Sequence, residues 1–284
     1  MIRILARWWR PARGGPARAN ALVLMYHRVA EGFIDPWGLC VSPARFADHL
    51  ALLTRRYHLV PLRGLADGLA AGRVPPRTVV ITADDGYADN VLVAAPLLAR
   101  ADAPATMFVT TGAIGATREF WWDELERILL SSGVLPQTCR LQVGGVEREW
   151  RLGETANDEA GDTGRHLGWK AEDPAPTARQ ALYMELWAAL YQLAAHEKHE
   201  ALDALSAWAG AGGEPRASHR AMTPAEVASL PARAPVEIGA HGVTHTPLDT
   251  MDADGQTREI AGSRQHLEEV LGTSVTSFAY PHGA

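Results

Sequence analysis

Short apolar runs alternate with amphipathic segments along most of the chain. Strands are predicted where β-branched and apolar residues cluster, at 21–27, 78–83, 105–112, 236–241 and 274–281. Helices are predicted where the apolar residues have helical spacing, at 42–57, 89–100 and 254–271. The first of these helices has Ser42 at its N-cap and Pro43 directly after it. This alternation predicts an α/β fold with a parallel sheet, either closed into a barrel or open.

Residues 119–235 have a different pattern of apolar and polar residues and separate two of these strand–helix units. It contains a predicted helix at 119–131, a predicted β-hairpin at 139–152 around a Gly-Gly pair, and an Ala- and Leu-rich helical region at 178–209. We therefore predict one domain, residues 21–284, that carries an α/β insertion at 119–235. Because the chain ends directly after its last predicted strand, we expect a barrel that is incomplete at its C-terminus.

Composition and charge narrow the classes of function. The 284-residue chain has a net charge of -6 and a pI near 6.0, so it lacks the basic surface that nucleic-acid binding requires. Its two cysteines, Cys40 and Cys139, are isolated in the sequence, so we predict neither a disulfide framework nor a thiolate metal site. The oligomeric state stays open.

The first 20 residues are basic and include Trp8 and Trp9. Arginines interrupt the short apolar stretch of this segment, which therefore differs from the core of a signal peptide. The sequence has no run of about 20 apolar residues, so we predict no membrane-spanning helix and expect a cytoplasmic protein. We predict a basic tail at 1–20, and any membrane contact would be made through it.

Polar residues suited to metal binding and acid–base chemistry stand at four predicted strand ends. His27 ends the first strand, Asp84 and Asp85 follow the second, His241 ends the fourth, and the sequence YPHG at 280–283 ends the fifth. The carboxyl ends of parallel strands meet at one edge of the sheet, where α/β folds place their active sites. We therefore expect these residues to lie together.

The sequence HGVTH contains two histidines, His241 and His245, at a spacing that suits a metal site. In a helical turn both imidazoles would lie on one face and could bind a single divalent cation. Two histidines and one carboxylate leave a coordination position for water, which is typical of a catalytic metal. Asp84 and Asp85 could divide the work as third ligand and general base, and Gly86 would permit the tight turn.

Three motifs resemble signature sequences of the polysaccharide deacetylases, carbohydrate esterase family 4. They are TADDG (82–86), HGVTH (241–245) and FAYPHG (278–283), and their order and framing strands also match. The resemblance covers about residues 21–114 and 220–284. It implies a distorted (β/α)7 barrel that hydrolyses N-acetyl groups from amino sugars in an N-acetylated glycan or glycolipid.

The resemblance also implies a role for each residue of the first two motifs. Asp84 would be the catalytic base that takes a proton from the attacking water. Asp85, His241 and His245 would hold a divalent metal, which we expect to be Zn²⁺. These roles agree with the chemistry that the residue types allow.

The remaining roles come from the third motif and the first strand. By resemblance, the backbone N–H of His282 would help to bind the oxyanion, with Tyr280 and Pro281 beside the substrate. The sequence LMYHRV resembles the first strand of bacterial exopolysaccharide deacetylases with permuted motifs, in which a histidine acts as the acid. His27 would then protonate the leaving amine, and the alternative is a core or surface histidine.

The chain departs from the usual family pattern at several positions. Ala83 replaces a phenylalanine, Gly242 replaces a serine or threonine, Ala279 stands near the place of an arginine, and His282 replaces an aromatic residue. The exopolysaccharide deacetylases also lack the arginine. These departures motivate a second hypothesis, a non-catalytic carbohydrate- or metal-binding remnant of a deacetylase.

The role of two tryptophans stays open, whereas a second type of hydrolysis is excluded. Trp121 and Trp122 could form an aromatic platform for a sugar ring, or they could pack in the core. Glycoside hydrolysis by Asp84 and Asp85 would need carboxyl groups about 5 Å or more apart across a sugar. Adjacent residues directed at one metal would not supply that separation.

Overall fold

The computed structural model describes residues 21–32, 34–131, 133–158, 163–210 and 214–283, and the predicted tail at 1–20 lies outside them. The strands are β1 (Ala21–Tyr26), β2 (Arg28–Val29), β3 (Cys40–Val41), β4 (His58–Leu59), β5 (Thr78–Ala83), β6 (Ala105–Val109), β7 (Gly133–Val134), β8 (Thr138–Val143), β9 (Val146–Arg151), β10 (Asn157–Asp158) and β11 (Val236–Ala240). The helices are α1 (Pro43–Arg56), α2 (Leu62–Ala70), α3 (Ala95–Ala101), α4 (Trp121–Leu130), α5 (Thr163–Gly168), α6 (Ala178–Tyr191), α7 (Ala195–Ala209), α8 (Pro224–Arg233) and α9 (Ala253–Leu271). Within these ranges, no helix combines the length and the apolar character that crossing a membrane requires.

A parallel sheet positions the candidate site. Its strands lie in the order β1-β5-β6-β11, and β4 pairs with the start of β5. Strands β5 and β6 are buried along their whole length and consist mainly of apolar residues, as expected for strands that are covered on both faces. The predicted α/β fold with a parallel sheet is therefore confirmed. Among the strand pairings of the described residues, none closes the sheet into a barrel.

One predicted strand does not form. Residues 274–281 make only an isolated parallel bridge, between Phe278 and Ala240, and a regular ladder is absent from this described segment. The apolar residues of the segment are nevertheless used, because Val275 and Phe278 pack on the core beside the sheet. The apolar pattern therefore correctly indicated burial but could not specify a hydrogen-bonded partner along the whole segment.

Residues 119–235, which we call the insertion, contain a second hydrophobic core. Helices α4, α6 and α7 pack there with the predicted hairpin, which forms from β8 and β9. The hairpin turns at Gly144 and Gly145, whose φ angles of +60° and +76° lie in the left-handed region that favours glycine. Helix α8 packs instead on the sheet core through Val227 and Leu230. We therefore propose that the separately packed part ends before α8.

Candidate metal centre

The turn after β5 places two buried carboxylates at the carboxyl end of the sheet. Asp84 and Asp85 have only 7% and 2% of their surfaces exposed. Asp85 has a φ of +73° and Gly86 a φ of +89°, so the backbone turns sharply through the left-handed region. A Cβ atom on Gly86 would lie 2.9 Å from Cγ1 of Val109. Glycine is therefore needed both for the turn and for its close approach to β6.

A second turn, directly after β11, brings the two histidines together. The spacing of His241 and His245 would suit a helical turn, but the chain does not form one here. Gly242 and His245 have φ angles of +75° and +57°, so the backbone follows a left-handed path instead. The imidazole rings still meet, with their centroids 4.8 Å apart. The two histidines that the sequence singled out therefore meet without a helical turn.

Glu259, on helix α9, holds this second turn in place. Its Oε2 accepts hydrogen bonds from the backbone N–H groups of Val243 at 2.6 Å and Thr244 at 2.9 Å. Its Oε1 accepts a hydrogen bond from the Thr244 hydroxyl at 2.8 Å. A Cβ atom on Gly242 would lie 2.8 Å from Oε2, so the carboxylate occupies the space that a serine or threonine would need. Glu259 could not be predicted as part of the site because no local sequence pattern links it to the turn.

The side chains of Asp85, His241 and His245 converge on one point. His245 Nε2 lies 3.1 Å and His241 Nε2 lies 3.5 Å from Oδ1 of Asp85. The three candidate ligand atoms all lie within 4.8 Å of one another, and all three residues are buried. Tetrahedral ligands that are each about 2 Å from a zinc ion would be about 3.3 Å apart. The residues therefore fit a divalent cation.

A backbone carbonyl orients one of these ligands. Nδ1 of His241 lies 3.0 Å from the carbonyl oxygen of Ala279, which can only accept a hydrogen bond. Nδ1 therefore carries the proton, and Nε2 is left with its lone pair directed toward Asp85. Ala279, which stands near the place of the family's arginine, thus contributes through its backbone.

Burial and the neighbouring charges shift the pKa values of Asp84 and Asp85 in opposite directions. Burial alone would raise the pKa of Asp85, but His241 and His245 outweigh burial and hold that pKa well below its ordinary value. Burial raises the pKa of Asp84, and the charges of His241 and His27 oppose that increase. Adjacent residues of the same type thus have different proton affinities, because only one of them lies between the two imidazoles.

His27 lies beside this cluster, immediately after β1. Its side chain is half-buried, and its carbonyl oxygen accepts a hydrogen bond from the side-chain amide of Asn90 at 2.9 Å. The charge of His27 contributes to the pKa values of Asp84, Asp85 and His245. The structure therefore brings together residues that follow three different strands, β1, β5 and β11.

The residues of the third motif lie against the same cluster. The ring of His282 contacts that of His245, with their centroids 4.6 Å apart, and the His282 backbone has a φ of +57°. Pro281 is buried, whereas 57% of the surface of Tyr280 is exposed. The motif therefore forms one exposed border of the site.

Trp121 and Trp122 lie in the core of the insertion, which was the alternative to a sugar platform. Only 6% and 7% of their surfaces are exposed. Trp122 packs on His245, with ring centroids 4.7 Å apart, and its Nε1 donates a hydrogen bond to the Tyr87 hydroxyl at 2.7 Å. That hydroxyl donates in turn to Asp123 at 2.6 Å. The indole of Trp122 thus packs against the candidate metal ligand His245.

Two solved structures share the fold with this chain. The Streptococcus pyogenes deacetylase PplD, solved in complex with acetate, is 17% identical, and the match covers 91% of this chain and 72% of PplD with a TM-score of 0.50. IcaB from Ammonifex degensii is 16% identical, and the match covers 94% of this chain and 76% of IcaB with a TM-score of 0.51. Identities this low support a shared fold only.

A family model provides the evidence for kinship. No curated protein sequence matched the chain significantly. The polysaccharide deacetylase family model matches residues 71–134 and 192–284, which together make up more than half of the chain. The matched ranges contain Asp85, His241 and His245, so the residues that converge in the structure are also those of the family match. The chain therefore belongs to the polysaccharide deacetylase family.

Proposed function

We propose that this protein is a metal-dependent deacetylase that hydrolyses N-acetyl groups on amino sugars of a polysaccharide or glycolipid. The observation that carries the proposal is the buried cluster of Asp85, His241 and His245 with Asp84 directly beside it. Membership of the family supports the reaction class. The substrate follows from the same family and is part of the proposal.

Asp85, His241 and His245 would hold the cation. We propose Zn²⁺, because two imidazole nitrogens and one carboxylate oxygen form a donor set that zinc uses in catalytic sites. A bound cation supplies Lewis acidity toward an acetamide carbonyl and a water molecule. Asp85 would bind the cation as a carboxylate, and the Ala279 carbonyl would hold the proton of His241 on Nδ1, so that the Nε2 lone pair is available to the cation.

Asp84 and His27 would move the protons. Asp84 would accept one proton from the water whose oxygen forms a bond to the acetamide carbon. His27 would donate one proton to the amide nitrogen as the C–N bond breaks, which leaves acetate and a free amino sugar. The pairing of β1 with β5 supports this assignment, because the backbone N–H of Asp84 donates a hydrogen bond to the carbonyl of Tyr26, the residue before His27, at 3.0 Å.

The third motif would contact the reacting acetamide from the exposed side. We propose that the backbone N–H of His282 donates a hydrogen bond to the developing oxyanion. Tyr280 and Pro281 would line the approach of the sugar. The contact between the rings of His282 and His245 supports this assignment, because it places the motif next to a metal ligand.

Acetate release from N-acetylglucosamine oligomers and N-acetylated glycolipids tests the proposal. We expect Asp84→Asn to lower kcat by about 100- to 10,000-fold, the usual contribution of a general base. A chelator should abolish the release, and added Zn²⁺ should restore it. Asp67→Asn, at an exposed position on α2, is the matched control and should behave like the wild type.

The same assay decides between the deacetylase and the non-catalytic remnant. A folded, zinc-loaded protein that releases no acetate from any of these substrates would contradict the enzymatic proposal. Release that persists in Asp84→Asn would instead overturn the role of Asp84 as base while leaving the reaction class in place.

A further inference from the structure

The three residues that follow β1 are held by hydrogen bonds to one neighbouring segment. The side-chain amide of Asn90 donates to the carbonyl oxygen of His27 at 2.9 Å. The carboxylate of Asp89 accepts hydrogen bonds from the backbone N–H of Val29 and from Nε of Arg28, both at 3.0 Å. The backbone is therefore fixed at His27 itself and at the two residues after it. We call Asp89 and Asn90 the support pair.

The support pair is shielded from water, and its two side chains fix each other. Nδ2 of Asn90 also donates to Oδ1 of Asp89 at 3.0 Å, and Asn90 is buried. Arg28, which forms an ion pair with Asp89, is also buried, and its guanidinium lies 4.4 Å from the ring centroid of Tyr87. Hydrogen bonds that are shielded from water are costly to break, because the partners are left without a replacement. The pair therefore restrains the backbone at His27.

A turn of π-helix accompanies this contact. It is formed by residues Asn90–Ala94, and the backbone N–H of Ala95 donates to the carbonyl oxygen of Asn90. Adjacent residues of a regular α-helix do not face the same neighbour, but Asp89 and Asn90 both bond to the segment after β1. Single π-helical turns are rare and frequently occur at functional sites. The unusual turn therefore points to a function for the contact with His27.

The position of the His27 imidazole depends on the backbone that carries it. Its side chain is half-buried, and within the part of the chain that the structure describes no group hydrogen-bonds to its ring. The direction of such a side chain follows from its backbone and its rotamer. A displacement of about 1 Å at a catalytic group can lower the rate by about 100-fold. A restrained backbone at His27 therefore favours proton transfer at a fixed place.

We propose that Asp89 and Asn90 are positioning residues, which hold His27 where it protonates the leaving nitrogen. The inference rests on the proposed function and extends it by two residues that act through the backbone of His27 rather than on the substrate. As the C–N bond breaks, its electron pair goes to the nitrogen, which takes a proton from the imidazolium of His27. The acetyl carbon keeps the oxygen that came from water, so acetate and the free amine are formed.

Two substrates with different leaving groups test the proposal. An N-acetylglucosamine pentamer loses an amine, which needs a proton, whereas 4-nitrophenyl acetate loses a phenolate, which needs none. We expect Asn90→Ala to lower kcat for the pentamer by about 10- to 100-fold with little change in KM, and to leave kcat for the ester within about threefold. Asp89→Asn, at a less buried position, keeps an acceptor for the N–H of Val29 and should show the same pattern with a smaller loss.

A double-mutant cycle shows whether the support pair acts through His27. His27→Ala should lower kcat for the pentamer more than Asn90→Ala does. In the His27→Ala protein, the further change Asn90→Ala should add no loss, because the group that it positions is already absent. Losses that multiply would overturn the proposal, since the pair would then act on a different part of the site.

Thr78 provides the matched control at the opposite end of β5, the strand that leads to Asp84. It is buried, and its hydroxyl donates to the carbonyl oxygen of Pro75 at 2.7 Å. Thr78→Val removes this buried hydrogen bond, so the ratio of pentamer to ester kcat should stay at the wild-type value. A changed ratio in Thr78→Val, or equal losses on both substrates in Asn90→Ala, would overturn the specific role of the pair.

Two measurements without turnover separate this proposal from the proposed function. In the zinc-loaded protein, the NMR signal of the His27 imidazole, assigned by its absence in His27→Ala, should shift or broaden in Asn90→Ala. The affinity for zinc should stay unchanged, because the candidate ligands follow β5 and β11. These results in a protein that releases no acetate would support the positioning of His27 and contradict the deacetylase. Acetate release with an unchanged His27 signal in Asn90→Ala and Asp89→Asn would do the reverse.

Discussion

The sheet half of the molecule and the insertion contribute to the site in different ways. The sheet half supplies the chemistry: Asp84 and Asp85 follow β5, and His241 and His245 follow β11. Their placement comes from parallel strands whose carboxyl ends lie side by side. The insertion supplies surrounding rings: Trp122 packs on His245, and Tyr191 packs on His282. The sheet topology therefore positions the candidate ligands, and side-chain packing positions the aromatic residues around them.

The sheet half and the insertion also stabilise their buried charged side chains in different ways. In the sheet half, the buried carboxylate of Glu259 is compensated by hydrogen bonds from the turn that it holds. In the insertion, Arg179 is 1% exposed and donates to backbone carbonyls that include those of Thr155 and Ala156. The first arrangement shapes a functional turn, and the second joins structural segments. Disrupting each one should therefore affect a different property.

The largest effect is expected at Arg179, which also donates to the carbonyls of Leu129, Ser131 and Gly133. Arg179→Met removes a donor from five buried or partly buried carbonyls, so we expect the free energy of unfolding to fall by about 3–5 kcal/mol. Urea unfolding followed by tryptophan fluorescence measures it, because most tryptophans of the described residues lie in the insertion.

We expect the Arg179→Met variant to keep its affinity for zinc. Zinc affinity in the native buffer should change less than threefold, because the ligands follow sheet strands. Arg151→Met removes an arginine whose side chain is 84% exposed, and its effect should stay within about 0.5 kcal/mol. A large loss of zinc affinity in Arg179→Met would contradict the independence of the two halves.

A smaller effect is expected at Glu259. Glu259→Ala frees the turn that carries His245, so the affinity for Zn²⁺ should fall by about 10- to 100-fold, the usual cost of losing a group that orients ligands. A competition titration with a chromophoric chelator measures the affinity. Glu259→Gln keeps the shape and one carbonyl acceptor, so its loss should be smaller. Equal affinity in all three proteins would mean that Trp122, from the insertion, holds the turn.

The smallest effect concerns Lys198, which lies in the insertion and faces the sheet half. Only 2% of its surface is exposed, and its Nζ lies 5.2 Å from the ring centroid of Trp121. Burial lowers the pKa of Lys198 to about 8, although the charge of Glu259 opposes the decrease. The folded protein therefore binds this proton less tightly than the unfolded chain, whose lysine keeps the ordinary pKa of 10.5.

Lys198→Met should remove this penalty and stabilise the protein by about 1–2 kcal/mol at neutral pH. The advantage should be complete below about pH 8 and should disappear by about pH 10.5, because the wild-type lysine is then neutral in both states. Urea unfolding across this range measures the difference. Lys170→Met, at a partly exposed position beside Asp35, should show no such pH-dependent gain. A destabilised Lys198→Met protein at neutral pH would contradict the prediction.

The sequence determined the parallel sheet and the candidate ligands because both depend on short-range patterns. Strands β5 and β6 are buried throughout and consist mainly of apolar and β-branched residues, as is typical of buried parallel strands. Polar residues follow these strands directly, and their residue types and spacing predict a metal site. The resemblance to the deacetylases rested on the same short motifs.

Only the tertiary structure decided the path of the turn after β11, the isolated bridge at Phe278, and the surfaces of the insertion. Glu259 shapes that turn from a distant helix, and no periodic signal connects the two. Trp122, on α4, is buried, whereas Trp187, on α6, is half-buried, and residue type alone does not separate them. Which ring is covered depends on segments far away in the chain, because packing is a property of the assembled elements rather than of any one of them.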